Sequence, residues 1–409
     1  MGKTLFVGID IGSDTNVVRI LDDTGKDVCG FNVSNDLPGA ERLVERIVNE
    51  AELIDADKVK IGMEATNLYW WHLSQALHEA PELAAFAAEI AVINPKVIDG
   101  FKNIYTDVVK TDAVDAWVIA DCLRFGRVRP TPPPDMTYAP LQRLTRFRYH
   151  MVSNLAREKN RALNLIFLKF STYQKECPFS DLFGQASRAV VGNLTPDEIA
   201  NMPVEELANL MLQHGNNRLK DVPEMARAIK QAARNSYRLN PKMRDAVDVT
   251  LAMSLETIRF FESQQKKIDQ VIAKELKAIP QTLDTVPGLG PVYTAGIVAE
   301  IGDISRFKNH NALAKFAGLT WRQHQSSKFT AEDIPLTRSG NYYLRYYLIE
   351  AANSVRVREP EYAAFYRKKF TEARHHHHKR ALVLTARKLV RMVFTLLSEG
   401  QIYKQRRLG

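Results

Sequence analysis

Four acidic residues in the first third of the chain have the type and placement to do chemistry: Asp10, Glu64, Asp112 and Asp115. Asp10 stands inside "FVGIDIGSDTN", where Phe6, Val7, Ile9 and Ile11 are strand residues and Gly12-Ser13-Asp14 is a turn. A carboxylate inside such an apolar run costs several kcal/mol unless something positive meets it. Glu64 ends the strand-like "VKIGME", and Asp112 and Asp115 in "KTDAVDA" are three residues apart, on one face of a helix. Two strand-end acids and a helical pair offer the hard oxygen donors that Mg²⁺ takes, with Mn²⁺ as its substitute. A pair of such ions suits phosphodiester chemistry, because they act on both the attacking and the leaving oxygen. Each acid alone has a structural alternative: an Asp after an apolar run also begins a turn, and Asp112 also caps its helix. The set of four, in this order and on these elements, favours the metal.

The elements that must position them alternate. Residues 1–129 read as strand, strand, helix, strand, helix, strand, helix, an α/β layer fold with a mixed sheet. "VRPTPPPDMTYAP" then breaks every regular pattern, so 130–139 is a proline-rich linker. Residues 140–279 contain two long stretches of helical period, "LQRLTRFRYHMVSNLAREKNRALNLIFLKF" and "VTLAMSLETIRFFESQQKKIDQVIAKELKAI", which predict an antiparallel coiled coil. Between them, 180–245 reads as short amphipathic helices with no assignable chemical role. Residues 280–409 read as all-helical.

With 409 residues and 45% hydrophobic content, the chain is long enough for two or three domains. The net charge of +9 and the pI of 9.3 favour a polyanionic partner. Acids gather in the first hundred residues, while "RLTRFRYH", "REKNR", "RKKF", "HHHHKR" and "KQRRLG" are basic. That asymmetry places a metal site in one part and phosphate contacts in the rest. The three cysteines are far apart and lack zinc spacing. No run of eighteen apolar residues and no signal-peptide pattern occur, so the expectation is a cytoplasmic protein without a membrane partner.

"GIDIGSDTNVV", "GMEATNLYWWHL" and "KTDAVDAWVIADCL" resemble the RuvC-like, ribonuclease-H-fold DEDD core of the bacterial insertion-sequence transposase family numbered one-ten. The resemblance continues in "VPGLGPVYTAGIVAEIGDISRF", "LAKFAGLTWRQHQS" and "LTRSGNYYLRYYLIEAA", and covers roughly 1–125 and 280–395. It implies a DNA recombinase acting on donor and target DNA, guided by a structured RNA, with Asp10, Glu64, Asp112 and Asp115 as the metal ligands. It also implies a catalytic serine in the C-terminal block. Counting from Gly318 in "GLTWRQHQSSKF", that serine is Ser326, with Ser327 its immediate neighbour; Trp321 stands where the family commonly has proline, and Ser327 where it has glycine. A serine hydroxyl attacking a phosphodiester would form a covalent protein–DNA intermediate.

"VPGLGPVYTAGIVAEIG" also resembles a helix-hairpin-helix, in which Gly288 and Gly290 would present backbone amides to phosphates; a tight connection between packed helices explains them equally well. "RSGNYYLRYYL" interleaves Arg338 and Arg345 with tyrosines, which suits strand contact and base stacking as well as it suits a helix core. The histidines 375–378 read as cationic surface. Strand exchange implies a homo-oligomer, dimer to tetramer, with the long helices as its surface.

Three other readings compete. A metal-dependent nuclease or Holliday-junction resolvase would hydrolyse DNA with water and need no serine. "GIDIGSDTN" also resembles the first phosphate turn of sugar kinases and actin-like ATPases, but the chain has no Gly-Gly dipeptide for their second phosphate loop. A basic scaffold that binds nucleic acid without catalysis is the last.

Overall fold

The computed structural model describes residues 2–105, 111–215, 219–321, 325–326, 329–330, 336–337 and 339–405. The chain divides into two compact units, Met1–Asp135 and Met136–Gly409.

The first unit is a five-stranded mixed sheet. Its strands are β1 (Thr4–Ile11), β2 (Thr15–Leu21), β3 (Asp27–Ser34), β4 (Lys58–Glu64) and β5 (Glu89–Ile93), in the order β3-β2-β1-β4-β5. β1–β2 and β2–β3 are antiparallel, while β1–β4 and β4–β5 are parallel. Among the described residues, four α-helices accompany it, α1 (Leu37–Leu53), α2 (Trp70–Glu79), α3 (Pro95–Lys102) and α4 (Asp112–Arg124), with a 3-10 helix at Pro81–Phe86. The alternation along β1 sorts its side chains. Leu5, Val7, Ile9 and Ile11 enter the core shared with α1, and Phe6 enters the core under α4. The result is an α/β domain built on a mixed sheet. β3 is a fifth strand that the sequence reading lacks, although Cys29, Phe31 and Val33 alternate with exposed Gly30 and Asn32 as a half-buried strand does. The proline-rich segment is also anchored, because Thr131 donates its backbone N–H to the Ile90 carbonyl and accepts from Val92 N at its hydroxyl.

The second unit is helical. α5 (Ala139–Lys169) is followed by the short helices α6 (Tyr173–Glu176), α7 (Gln185–Asn193), α8 (Pro196–Asn201), α9 (Val204–His214) and α10 (Val222–Asn235), and then by α11 (Pro241–Leu276). α11 begins eight residues before the stretch read from the sequence, with Asn240 accepting from Lys242 N as its cap. Arg148 bonds Asp269, Glu158 accepts from Ser254 and Lys169 pairs with Asp248. These partners descend α11 as α5 ascends, so the two helices run antiparallel. On α5, Leu141, Arg148, Leu155, Ala162 and Lys169 are all buried, one every seven residues. The short helices pack over the far end of this pair, around Phe170 and Tyr173. At its root, Leu141, Ile272 and Leu276 share one core with α12 (Pro291–Ile301), α13 (His310–Phe316), α14 (Tyr342–Arg358), α15 (Pro360–Glu372) and α16 (His377–Glu399). Among the described residues, no helix is long and apolar enough to cross a membrane.

Candidate active site

Two glycines draw the acids together. A Cβ on Gly8 would lie 2.0 Å from the Ala116 carbonyl oxygen and 2.4 Å from Ala120 N, so only glycine lets the α4 backbone rest on β1. Gly62, opposite Gly8 on β4, gives the same clearance to Leu123. Asp10 is two residues beyond Gly8 and Glu64 two beyond Gly62, so both lie on the α4 face of the sheet on neighbouring strands. α4 therefore meets them with its first turn, which holds Asp112 and Asp115. The helix is capped by Thr111, whose hydroxyl accepts from Val114 N at 3.3 Å. The capping role that Asp112 could have filled belongs to Thr111.

The electrostatics record this convergence. The Asp10 carboxyl is pushed up from 3.8 to about 6, first by burial, then by the charges of Asp115, Asp112 and Glu64, with Lys102 opposing them. Lys102, at the end of α3, bonds Asp115 directly, and the Thr66 hydroxyl donates to Glu64 at 3.0 Å. Among the described residues, no three His, Cys, Asp or Glu side chains stand close enough together to hold a metal ion. In chemical type the set suits a hard divalent cation: it is all carboxylate, and Asp10 is raised by burial and by neighbours of its own sign. Lys102 is a site residue that sequence reading missed, since the end of a short helix in "PKVIDGFK" carries no catalytic signal. Asp121 on α4 is spoken for, bonded by Tyr105 and by Arg124 Nε at 2.7 Å.

The other expected site residues lie in the second unit. Ser326 belongs to the two-residue strand β6 (Gln325–Ser326), paired antiparallel with β7 (Phe329–Thr330) so that Ser326 faces Phe329 in register. Ser327 and Arg338 lie outside the described residues. The described residues on either side of this stretch are held together as a narrow neck. Thr337 N bonds the Thr320 carbonyl at 2.8 Å, Trp321 bridges Leu336, and Asn341 N bonds the Phe316 carbonyl at 2.6 Å. Gly318 and Gly340 both have positive φ, and a Cβ on Gly340 would lie 2.4 Å from the Phe316 oxygen.

Gly288 also has positive φ, and a Cβ there would press on the backbone of Ser354 and Val355, so its absence lets the turn seat against α14. Gly290 has open space where a Cβ would be and precedes Pro291 at the start of α12. The element before this turn is one 3-10 turn, Leu283–Thr285. Arg345 donates to the Ala317 carbonyl at 3.3 Å and lies over the Tyr342 ring. In the histidine run, His378 Nδ1 lies 2.7 Å from the Tyr366 hydroxyl and His377 Nδ1 lies 2.9 Å from the Phe370 carbonyl.

Comparison with known proteins places this architecture. A DEDD transposase model matches residues 7–170, and the model for transposases of the IS116/IS110/IS902 family matches 280–367. A 44.8 kDa protein of insertion element IS116 from Streptomyces clavuligerus is 24% identical over 98% of this chain and 96% of its own length. A 43.6 kDa protein of insertion element IS110 from Streptomyces coelicolor is 23% identical, with the same coverage of each. A pilin gene-inverting protein of Moraxella bovis is 25% identical over 37% of this chain and 48% of its own. Among solved structures, RuvC of T. thermophilus in complex with a Holliday junction substrate is 13% identical and covers 31% of this chain and 99% of its own, with a TM-score of 0.23. With one family model matched at each end of the chain, the protein belongs to the IS110/IS116 family of transposases.

Proposed function

We propose that this transposase cuts and rejoins DNA by a two-part mechanism, with magnesium held by Asp10, Glu64, Asp112 and Asp115 and with Ser326 as the nucleophile. The observation that carries the proposal is the placement of Asp10 and Glu64 on the α4 face of neighbouring strands, beneath the helix turn that holds Asp112 and Asp115, with the Asp10 carboxyl raised by burial and by the other three acids. A buried acid surrounded by like charge is relieved by a cation. When bound, divalent cations supply Lewis acidity to the phosphodiester and to the charge that develops on its leaving oxygen. The chain's own residues orient and exchange. The Ser326 hydroxyl oxygen bonds to phosphorus and gives up its proton, and one phosphate–sugar bond breaks, leaving a free hydroxyl on the released strand. Attack by the hydroxyl of the incoming strand reverses the exchange and returns the serine.

The helical pair supplies assembly in this reading. Val249, Met253 and Phe260 are exposed on α11 at intervals of four and seven residues, a second seam that faces away from α5 and suits coiled-coil pairing with another copy. Gly288 and Gly290 contact backbone phosphates, and a structured RNA directs the choice of DNA.

The test is an element-end DNA substrate incubated with Mg²⁺ and resolved under denaturing conditions. A protein–DNA adduct is expected from the wild type and from neither Asp10→Ala nor Ser326→Ala. Cleavage that survives Ser326→Ala without adduct would favour the hydrolytic nuclease instead. Sequencing the nucleic acid that co-purifies with the protein tests the guide: a discrete structured RNA is the expected companion.

A further inference from the structure

We propose that Tyr342, with Tyr149, Tyr343 and His150 around it, is a stacking platform for an unpaired nucleobase at the foot of the segment that carries Ser326.

The four tyrosines of "NYYLRYYL" have different fates. Tyr347 is fully buried and donates its hydroxyl to the Thr145 carbonyl at 2.6 Å, and Tyr346 is half-buried against the same core. Those two are packing residues. Tyr342 is 47% exposed. Its ring meets Tyr149 of α5 edge-on, with centroids 5.2 Å apart and planes at 83°, and the two hydroxyls touch each other. Tyr149 makes the same edge contact with Tyr343 at 5.5 Å, and His150 Nε2 lies 3.0 Å from the Tyr343 hydroxyl. Rings locked edge to face cannot swing, so a flat ligand meets them with little further loss of side-chain freedom.

A buried carboxylate holds the cluster in place. The Glu300 side chain is wholly buried on α12, where it accepts Arg146 Nε at 2.7 Å, Arg146 Nη2 at 2.9 Å and Asn341 Nδ2 at 2.7 Å. Arg146 lies 4.8 Å over the Tyr343 ring, and Asn341 is the residue immediately before Tyr342. Arg345 stands 5.7 Å from the Tyr342 centroid while bonding the carbonyl next to Gly318. The platform is thus tied to the neck on one side and to α5 and α12 on the other. An exposed tyrosine ring backed by a guanidinium suits bases whose faces are free, because every base has a π-face while a duplex hides it. The unit is also cationic, with 43 Lys and Arg against 25 Asp and Glu in residues 136–409, so a polyanionic strand is drawn to it.

The proposal rests on the recombinase reading only in taking the partner to be a nucleic acid. Its test uses the full-length protein with single-stranded DNA and single-stranded RNA, each with 2-aminopurine at one position, and with the matched duplex. Wild type is expected to change the 2-aminopurine signal on binding, which reports the base itself whatever the variants do. Tyr342→Ala is expected to lose about ten-fold or more in single-strand affinity, equally at low and high salt, with duplex affinity kept within about two-fold. Tyr342→Trp should retain both. Loss with RNA alone, or with DNA alone, supports the platform and names its strand. Equal weakening of single strand and duplex, or an unchanged 2-aminopurine signal in wild type, overturns it. Because duplex binding is read in the same experiment, a platform that fails while duplex binding persists leaves the recombinase reading standing.

Discussion

Asp10 and Glu300 are both acids drawn out of solvent, one in each unit, and the chain treats them in opposite ways. Glu300 is surrounded by donors from its own unit: Arg146 and Gln142 of α5 and Asn341 at the neck. Asp10 is surrounded by acids, with Lys102 as the cation that opposes them. A carboxylate satisfied internally is part of the architecture, and one left among its own kind is held ready for something outside the chain. The charge balance repeats the contrast: residues 1–135 carry 13 Lys and Arg against 22 Asp and Glu, the reverse of the second unit.

Breaking each side of this comparison should give different signatures. The largest effect is on activity: Asp10→Ala should reduce Mg²⁺-dependent strand transfer by about 10³-fold or more, while circular dichroism and the melting temperature show an intact fold. Glu300→Ala should do the reverse damage, leaving the half-buried Arg146 and Asn341 without their acceptor and destabilising the second unit by about 2–3 kcal/mol in denaturant unfolding. If Glu300→Ala left stability untouched, the account of Glu300 as an internal anchor would fail.

The pH dependence sharpens the contrast further. Asp10 titrates at about 6 in the folded chain against 3.8 when unfolded, so between those values the folded state holds the extra proton. The stability of EDTA-treated protein from this site should therefore fall as pH rises from about 4 to 6 and level off above. Asp10→Asn should flatten that slope, and the Mg²⁺-induced rise in melting temperature should grow over the same window in wild type only. The smallest effect belongs to Lys102. Its ion pair with Asp115 is about one quarter exposed at each end, so Lys102→Met should tighten Mg²⁺ binding by about two- to five-fold in a calorimetric titration.

Much of the first unit was legible because its periodicities are local. The alternation of β1, the helical spacing of α1 and the i,i+3 acids of α4 all act within a few residues. The edge strand β3 was missed although Cys29, Phe31 and Val33 alternate as strand residues do, because the run is short and its Gly30 and Asn32 are turn-forming types. Lys102 was hidden for another reason: it reaches Asp115 only after α3 and α4 pack, and nothing in "GFK" foretells that. In the second unit, the long helices were legible from their period. The sorting of four adjacent tyrosines into two core residues and two platform residues was not. It depends on which face of α14 meets α5, which Tyr347 and Thr145 decide together.

The most direct test is an anomalous-difference map from crystals soaked in Mn²⁺. The account predicts a peak bounded by Asp10, Glu64, Asp112 and Asp115, absent from crystals of the Asp10→Asn variant. An empty acid cluster at a Mn²⁺ concentration that supports strand cleavage would contradict it.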